Sequence, residues 1–182
     1  MMNEEQLLAK AKQLDPNALE ALHQQFYPSV ARYISFKVGD VHTVEDLSGE
    51  VFVRVLEGLH RGHSWQTSVK GWIMGIAHHV VVDYYRQRHK GSDVQLDEWY
   101  ASPEEAGPLY QAILSDRKQH LLQAIQWLNP EQREVILMRF IEGLDIQAVA
   151  EAINKSPGAV KALQYRAVRL LAEKMQPFAE AG

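Results

Sequence analysis

The sequence predicts an all-α fold in two helical parts. Apolar residues recur at helical spacing, as in residues 44–59, and no stretch alternates polar and apolar residues long enough to indicate a strand. Helix starts are marked by a capping residue followed by proline, as at Asn129–Pro130 and Ser156–Pro157. These observations together favour helices joined by short loops.

The composition is that of a globular protein. Of the 182 residues, 46% are hydrophobic and 23% are charged, and cysteine is absent. The lack of cysteine excludes disulfides, thiolate metal ligands and cysteine nucleophiles. The first ten residues, MMNEEQLLAK, carry acids where a signal peptide needs bases, and no apolar run reaches membrane-spanning length. We therefore expect a cytoplasmic protein with no membrane insertion.

The net charge of −4 comes from one internal segment. Residues 91–116 contain six acids and no base, and the same part of the chain holds two glycines and two prolines without helical periodicity. Such a segment is typical of a linker, either a solvated tether or one with a partner of its own. We place an N-terminal helical domain over residues 1–91, an acidic linker over 92–115 and a C-terminal helical domain over 116–182.

The N-terminal domain begins with helices that carry recognisable start signals. Asp15 and Pro16 suit the start of one helix, and Pro28 lies near a second start. Gly39 is a plausible C-terminal cap. Thr43 resembles the first residue of a capping box and would open the next helix.

The segment Trp72–Lys90, WIMGIAHHVVVDYYRQRHK, is predicted to form a helix with two different faces. Its core face is Ile73, Ile76, Ala77, Val80 and Tyr84. Its second face is Trp72, Gly75, His79, Val82 and Arg86. Aromatic rings stack on unpaired bases and small residues admit them, while the cations of Arg86, Arg88 and Lys90 can bind phosphates. The second face therefore predicts contact with single-stranded nucleic acid.

The two adjacent histidines do not predict a metal site. On a helix His78 and His79 point about 100° apart, unlike the i,i+4 pair that chelates zinc. We expect His79 to contact nucleic acid, His78 to be partly buried in a structural role, and Asp83 to pair with a neighbouring arginine. The sequence has no glycine-rich phosphate loop or nucleophile elbow. We therefore predict no catalytic residue, no cofactor and no metal, and hence no enzyme.

The C-terminal domain carries the pattern of a helix-turn-helix. Within residues 144–174 a short amphipathic helix ends at Asn154, which tolerates the left-handed backbone that the turn requires. Ser156 and Pro157 then open a second helix as its N-cap and first residue. Small Ala150 allows the two helices to approach closely. A preceding helix over 127–143 is expected to pack on the motif through Val135, Ile136, Met138, Phe140 and Ile141.

The second helix of this motif presents an outer face that carries only positive charge. Residues 155–172 contain four bases and no acid. Phosphate contacts are predicted for Lys155, Arg166 and Arg169, and base-edge contacts for Lys161, Tyr165 and Arg166. The alternative is a helical hairpin with a solvated basic face.

Together these parts resemble bacterial RNA polymerase sigma factors of the extracytoplasmic-function (ECF) type, in the sigma-70 family. The resemblance covers nearly the full length and rests on the order and spacing of FYPSVARYI, VEDLSGEVFVRVLEG, VKGWIMGIAHHVVVDYYRQRHK and LNPEQREVILMRFIEGLDIQAVAEAINKSPGAVKALQYRAVRLL. It implies a transcription initiation factor that binds core RNA polymerase, directs it to promoters and traps melted bases without covalent chemistry.

The resemblance implies two roles for the N-terminal domain. The helix VEDLSGEVFVRVLEG matches the segment that docks on the clamp coiled coil of the largest polymerase subunit, with Asp46, Glu50 and Arg54 on its polar face. Residues 61–72 match the loop that captures a flipped-out base of the −10 element, and His79 stands where asparagine is common. The residues implied in −10 recognition are Trp65, Ser68, Val69, Lys70, Trp72, Gly75, His79, Arg86 and Arg88.

For the C-terminal domain the resemblance implies recognition of the −35 element by the helix-turn-helix. The residues implied are Lys155, Ser156, Gly158, Ala159, Lys161, Ala162, Tyr165, Arg166 and Arg169. The implied partners are core RNA polymerase, including its flap, promoter DNA and an anti-sigma factor. The acidic linker gains a second interpretation, as a segment that threads polymerase channels otherwise occupied by nucleic acid.

Two other classes of function remain open on the residues alone. The first is a helix-turn-helix regulator that binds duplex DNA without polymerase, which would leave residues 61–90 without a role. The second is a module that binds only another protein, against which the basic face of residues 155–172 counts.

Overall fold

The structure is a computed structural model, and it describes residues 3–63, 65, 68–90, 120 and 123–179. All the regular elements of these residues are helices. The predicted linker over 92–115 lies outside the described residues. The helices are α1 (Glu4–Lys12), α2 (Pro16–Ser35), α3 (Val41–His60), α4 (Val69–Arg88), α5 (Pro130–Ile136), a π-helical turn (Leu137–Ile141), α6 (Ile146–Ala152) and α7 (Pro157–Ala179). The all-α prediction is confirmed.

Helix α2 is one continuous element, so the second start predicted at Pro28 is wrong. Asp15 caps α2 as predicted, because its Oδ1 accepts a hydrogen bond from the Ala18 amide at 2.9 Å. Leu22 and Val30, on either side of Pro28, lie on the same buried face, while Pro28 is exposed. Core packing along this face therefore keeps the helix intact through a residue that usually interrupts one.

Helix α3 starts three residues earlier than the sequence suggested. Asp40 is its N-cap and accepts hydrogen bonds from the Thr43 amide at 2.8 Å and the Thr43 hydroxyl at 2.7 Å. Thr43 therefore lies inside the first turn. It donates hydrogen bonds to the N-cap Asp40 and is not itself the N-cap. Gly39 does not cap α2, which ends at Ser35.

The helix that carries the histidines begins at Val69, three residues before the predicted start. Ser68 is its N-cap, with its hydroxyl 2.9 Å from the Gly71 amide. Ile73, Ala77 and Val80 are buried as predicted. Helix α4 thus forms the spine of the N-terminal half, packed on α2 and α3.

Helix α5 begins as predicted and then changes pitch. Asn129 forms a capping box with Gln132, and Pro130 is the first helical residue. A π-helical turn follows, closed by a hydrogen bond from the Glu142 amide to the Leu137 carbonyl at 3.0 Å. Phe140 is 56% exposed, so its predicted place in the core is wrong. The wider π turn changes the angular position of the residues after Leu137 relative to an α-helix.

The helix-turn-helix is formed by α6 and α7. Asn154 has a φ of 53°, in the left-handed region that the sequence predicted for the turn. The Ser156 hydroxyl accepts a hydrogen bond from the Ala159 amide at 3.1 Å, which confirms it as the cap of α7. Val160 and Ala167 of α7 are buried, and Val149 and Ala150 of α6 are buried as well.

The two halves of the chain pack against each other, which the sequence did not predict. Helix α6 lies on α4, and a single apolar cluster includes Ile73 and Ala77 of α4 together with Val149 of α6. The contact depends on small residues. A β-carbon placed on Gly75 would lie 3.1 Å from the Ala152 Cα, so a larger residue there would push the two helices apart by a few tenths of an ångström.

We predict that Asn154→Val lowers the free energy of unfolding by about 1 to 2 kcal/mol, because a β-branched residue is strained in the left-handed region. Urea unfolding followed by circular dichroism measures the loss. Asn154→Gly is the matched control and should leave the stability nearly unchanged, since glycine adopts this backbone without strain. Equal losses in both variants would show that the asparagine side chain matters rather than the backbone geometry.

Candidate nucleic-acid and partner interfaces

The outer face of α7 carries most of the side chains predicted to bind duplex DNA. Lys161, Ala162, Tyr165 and Arg166 are exposed and lie side by side, with Tyr165 at 64% exposure. An aromatic residue that exposed has little role in the core, so it is available to a partner. The helix-turn-helix thus presents cations and a ring on the face turned away from the protein.

The remaining predicted −35 residues lie around the start of α7 or one turn further along it. Ser156 and Gly158 are exposed, and Ala159 is partly exposed. The Lys155 ammonium lies 2.6 Å from a Glu131 carboxylate oxygen. To make its predicted phosphate contact, Lys155 would have to exchange this carboxylate for the phosphate. Arg169 lies 3.9 Å from Glu173 in an exposed pair.

The second candidate surface is the side of α4 that bears His79. The His79 side chain is exposed, and its Nδ1 lies 2.7 Å from the Gly75 carbonyl oxygen. Since a carbonyl only accepts hydrogen bonds, Nδ1 carries the proton of the neutral ring. The other nitrogen, Nε2, is then a hydrogen-bond acceptor.

An aromatic pair lies beside the start of α4. The rings of Trp65 and Trp72 are 5.8 Å apart at an angle of 49°, and the Lys12 ammonium lies 4.8 Å from the Trp65 ring centre. Both rings are partly exposed. Two tryptophans with a cation beside them form a surface on which unpaired bases can stack.

Other predicted −10 residues are covered in this conformation. Val69 is buried in the core, and Gly75 is buried against Ala152. Lys70 donates a hydrogen bond to the Glu142 carbonyl oxygen at 2.5 Å. At the other end of α4 both predicted arginines, Arg86 and Arg88, are exposed. The guanidinium of Arg88 is hydrogen-bonded to the Tyr84 hydroxyl.

The predicted polymerase-docking residues lie together on α3. Asp46 and Glu50 are exposed, and Arg54 is partly exposed. Arg54 pairs with Glu50 at 2.6 Å and with Asp83 of α4 at 2.9 Å. Asp83 thus pairs with an arginine of α3 and not with a neighbouring one on α4 as predicted, and the contact fixes the orientation of Arg54.

His78 has the partly buried structural role that the sequence predicted. Its Nδ1 lies 3.2 Å from the Tyr33 hydroxyl and 3.4 Å from a Glu134 carboxylate oxygen. Among the residues that the structure describes, no group of three or more histidines and acids could hold a metal ion. No described helix is long and apolar enough to cross a membrane.

The structure also contains a buried ionic cluster that sequence reasoning missed. Glu134 of α5 accepts hydrogen bonds from the Lys37 ammonium and the Tyr33 hydroxyl, and Lys37 and Glu134 are 2% and 3% exposed. Burial by itself raises the pKa of Glu134, but the charge of Lys37 and the hydrogen bond with His78 hold it well below its usual range. Burial lowers the pKa of Lys37, and the Glu134 carboxylate opposes that shift.

A second ionic contact joins the same two halves. Arg32 of α2 binds Glu142 with two hydrogen bonds of 2.9 and 2.7 Å, and Lys70 lies 3.6 Å from the same carboxylate. The hydrogen bonds with Glu142 raise the pKa of Arg32. Arg32, Tyr33 and Lys37 lie between 97 and 110 positions from their acidic partners in the chain, so no local sequence pattern could have indicated these pairs.

A helix-turn-helix with an exposed basic face, joined to a helical half that presents tryptophans and cations, defines a DNA-binding protein of two modules. Residues 22–91 match the family description Sigma-70 region 2, and residues 118–171 match Sigma-70, region 4. The chain belongs to the sigma-70 family, in its ECF group of RNA polymerase sigma factors. This confirms the resemblance inferred from the sequence.

Individual relatives and a solved structure agree with this assignment. The chain is 33% identical over 168 residues to the ECF RNA polymerase sigma factor BldN of Streptomyces coelicolor, spanning 92% of this chain and 64% of BldN. It is 33% identical over 180 residues to the ECF RNA polymerase sigma factor ShbA of Streptomyces griseus, spanning 92% of this chain and 94% of ShbA. The structure of CnrH in complex with the cytosolic domain of CnrY shares the fold, with a TM-score of 0.67 at 19% identity over 94% of this chain and 96% of CnrH.

We predict that the stabilising effect of the Glu134 carboxylate is lost in acid. The pKa of Glu134 in the folded state lies below the ordinary value of 4.5, so the carboxylate stabilises the fold above that value and loses its effect as the pH falls. The difference in unfolding free energy between the wild type and Glu134→Gln should be constant from about pH 7 to about pH 5. It should then shrink by roughly 1.4 kcal/mol for each pH unit below 4.5.

Urea unfolding at several pH values measures this difference. Glu45→Gln, at an exposed position on α3, is the matched control and should change the stability little at any of them. A wild-type advantage over Glu134→Gln that grows as the pH falls would contradict the prediction.

Proposed function

We propose that this chain initiates transcription by directing core RNA polymerase to promoters. Helix α7 would read duplex −35 DNA, and the surface that carries Trp65, Trp72 and His79 would bind melted −10 DNA. The observation that carries the proposal is the exposed face of α7, where Lys161, Tyr165 and Arg166 stand on a capped recognition helix. Membership of the sigma-70 family supports the same assignment.

Recognition of the −35 element follows from the geometry of the motif. The second helix of a helix-turn-helix enters the major groove with its N-terminal residues at the base edges. On α7 these are the residues from Pro157 to Arg166. Lysine and arginine there bind guanine O6 and N7, and the Tyr165 ring contacts thymine methyl groups. Arg169, further along the helix, would contact the backbone and position the motif.

Recognition of the −10 element uses stacking and one directed hydrogen bond. Trp65 and Trp72 offer faces to bases that have left the duplex, and Arg86 offers a cation to their phosphates. The Nε2 acceptor of His79 selects a base that presents a donor, such as the amino group of adenine or cytosine. Because the Gly75 carbonyl fixes the ring tautomer, the fold determines this preference.

The polar side of α3 is the proposed docking site for polymerase. Asp46 and Glu50 are exposed acids one turn apart, and Arg54 is held beside them by Asp83. A fixed pattern of opposite charges on one helix suits a charged partner helix of the clamp coiled coil. For the C-terminal half, the proposed binding partner is the flap of core RNA polymerase.

Further parts of the proposal rest on the family. The chain would perform no covalent chemistry itself and would act in the cytoplasm, where polymerase and promoters are. An anti-sigma factor is a proposed partner, since the sigma factor RpoE of Bartonella quintana has been solved in complex with the anti-sigma factor NepR. A helix-turn-helix regulator that works without polymerase is less favoured, because it would give no role to Trp65, Trp72 and His79.

The decisive experiment is in vitro transcription with core polymerase and a genomic fragment library, with and without this protein. We expect specific start sites only when it is present. On a promoter found in this way, Lys161→Ala and Arg166→Ala should each reduce initiation by about tenfold, since a base contact contributes about 1 to 3 kcal/mol. Binding to core polymerase, measured by gel filtration, should be unchanged.

Lys174→Ala is the matched control, because Lys174 is an exposed base on the same helix that lies against the Trp127 ring, 4.1 Å from its centre. It should leave initiation nearly unchanged. If the protein shifts the same duplex alone yet gives no specific initiation, the regulator interpretation replaces the sigma-factor interpretation. Loss of core binding in the α7 variants would show that this face contacts polymerase instead.

His79→Asn should change the base preference at one −10 position by about fivefold, the effect of a single hydrogen bond of about 1 kcal/mol. An asparagine amide both donates and accepts, so it loses the restriction that the histidine tautomer imposes. Initiation from promoters with all four bases at each −10 position measures the preference, and circular dichroism confirms the fold. An unchanged preference would remove His79 from base recognition.

A further inference from the structure

Helix α1 reaches the tryptophan pair formed by Trp65 and Trp72, although α1 was not predicted to bind DNA. The Lys12 ammonium lies 4.8 Å from the centre of the Trp65 ring, and the two tryptophan rings are 5.8 Å apart. The match to Sigma-70 region 2 begins at residue 22, whereas α1 ends at Lys12. The cation beside the tryptophan pair therefore comes from a part of the chain that the family description does not cover.

The Lys12 ammonium has hydrogen-bond donors available for another group. Its side chain is exposed, and within the described part of the chain it forms no hydrogen bond and no ion pair. An ammonium group carries three N–H donors, and its electrostatic contact with the face of a ring leaves these donors without an acceptor from the protein. Lys12 can therefore stay over the Trp65 ring and bind an anion at the same time.

The charges around Lys12 favour an anion as this ligand. Residues 58–72, which carry both tryptophans, contain no acid. The acids of α1 are Glu4 and Glu5 in its first turn, about 10 to 12 Å along the helix from Lys12. Asp15 is the nearest acid in sequence, and it is the N-cap of α2, where its Oδ1 accepts a hydrogen bond from the Ala18 amide. An anion at Lys12 would not have to displace a carboxylate.

The Trp72 ring is held in position by a glycine of α3. A β-carbon placed on Gly58 would lie 2.8 Å from Cζ2 of Trp72, which is closer than two carbon atoms approach without a bond. Gly58 is buried in the last turn of α3, so the ring lies directly against the helix backbone. Any larger residue at this position would displace the ring. The tryptophan pair is thus contacted from α3 by Gly58 and from α1 by Lys12.

A base stacked on Trp72 would bring its backbone close to Lys12. The spacing of the two rings and the contact of the ammonium with Trp65 place Lys12 about the length of one nucleotide from the Trp72 ring. Proteins that bind single strands combine aromatic faces for the bases with cations along the backbone. The tryptophan pair and Lys12 have this combination of groups.

We propose that Lys12 binds a backbone phosphate of the single strand whose bases stack on Trp65 and Trp72, so that α1 is a further DNA-binding element of this chain. Gly58 is a positioning residue in this site, because it sets where the Trp72 ring lies and hence where the phosphate falls. The proposal rests on the proposed function, since the strand is the melted −10 DNA.

The test is the salt dependence of binding to a fluorescein-labelled single-stranded DNA of mixed sequence, about 20 nucleotides long, measured by anisotropy with the full chain. Loss of one phosphate contact should lower the slope of log affinity against log salt by about 0.7 in Lys12→Gln. Over a tenfold range of salt concentration, the advantage of the wild type should therefore shrink about fivefold as the salt rises. Lys12→Arg keeps the charge and should keep the wild-type slope.

Lys10→Gln is the matched control. Lys10 is an exposed base on the same helix, and two residues of separation turn its side chain about 200° away from that of Lys12. Its slope should equal that of the wild type, although the net charge changes by the same amount. The proposal is overturned if the wild type does not bind the strand, or if Lys12→Gln loses the same factor of affinity at every salt concentration. The second result would mean that Lys12 only holds the Trp65 ring.

The position of the Trp72 ring is tested by Gly58→Ala. The added methyl group should displace the ring and weaken binding about fivefold, the effect of impaired stacking of one base. Alanine favours a helix more than glycine does, so α3 itself is not weakened, and circular dichroism checks the fold. Gly49→Ala, on the same helix with open space around the new β-carbon, is the matched control and should bind as the wild type does. Equal affinity of the two variants would contradict the role of Gly58.

The two substitutions together show whether the rings and the cation form one site. If the strand reaches Lys12 because its bases stack on the tryptophan pair, Lys12→Gln should change the salt slope less in the Gly58→Ala protein than in the wild type. An identical change in both backgrounds would show that Lys12 and the tryptophan pair bind DNA separately, against the proposal.

These outcomes are distinct from those of the transcription experiment. If the wild type directs specific initiation while Lys12→Gln leaves the salt slope unchanged, the contact from α1 is wrong and the proposed function stands. If the wild type directs no initiation, the proposed function is wrong even where the binding results agree with a phosphate site at Lys12.

Discussion

The buried pairing of Glu134 with Lys37 is the interaction on which the arrangement of the two halves depends. Each charge lies in the core, where it is tolerated only because the other neutralises it and Tyr33 and His78 complete the hydrogen bonding. Apolar contacts alone would allow α6 to slide along α4. A buried charge has one favourable position, so the pair specifies a single registration of the two halves.

The same registration explains why α4 carries glycines where its sequence would otherwise favour larger residues. Gly71 and Gly75 face Ala148 and Ala152, and the two helices approach until their backbones are nearly in contact. That distance brings Glu134 and Glu142 within reach of their bases. Small residues on both helices and the buried charged residues beside them therefore belong to one interface, which joins a helix of the helix-turn-helix to the proposed −10 helix.

Much of the local structure could be predicted from short stretches of sequence. Asn154, Ser156 and Asn129 each act as expected because turns and caps depend on backbone geometry and on partners three or four residues away. The predictions failed where packing outweighed a local signal. Pro28 lies within a helix because the core face continues past it, and Phe140 is exposed because a π turn intervenes. Neither outcome could be recognised from the residues next to Pro28 or Phe140 in the sequence.

The sequence by itself determined the helical class, the helix-turn-helix, the exposed basic face of α7 and membership of the sigma-70 family. These features follow from the spacing of apolar residues, from capping residues and from the order of motifs, all of which can be read from short stretches of the chain. Only the tertiary structure decided which −10 residues are covered and which charges are buried together. Those properties depend on atoms brought together from positions about one hundred residues apart, and a linear pattern carries no information about such distances.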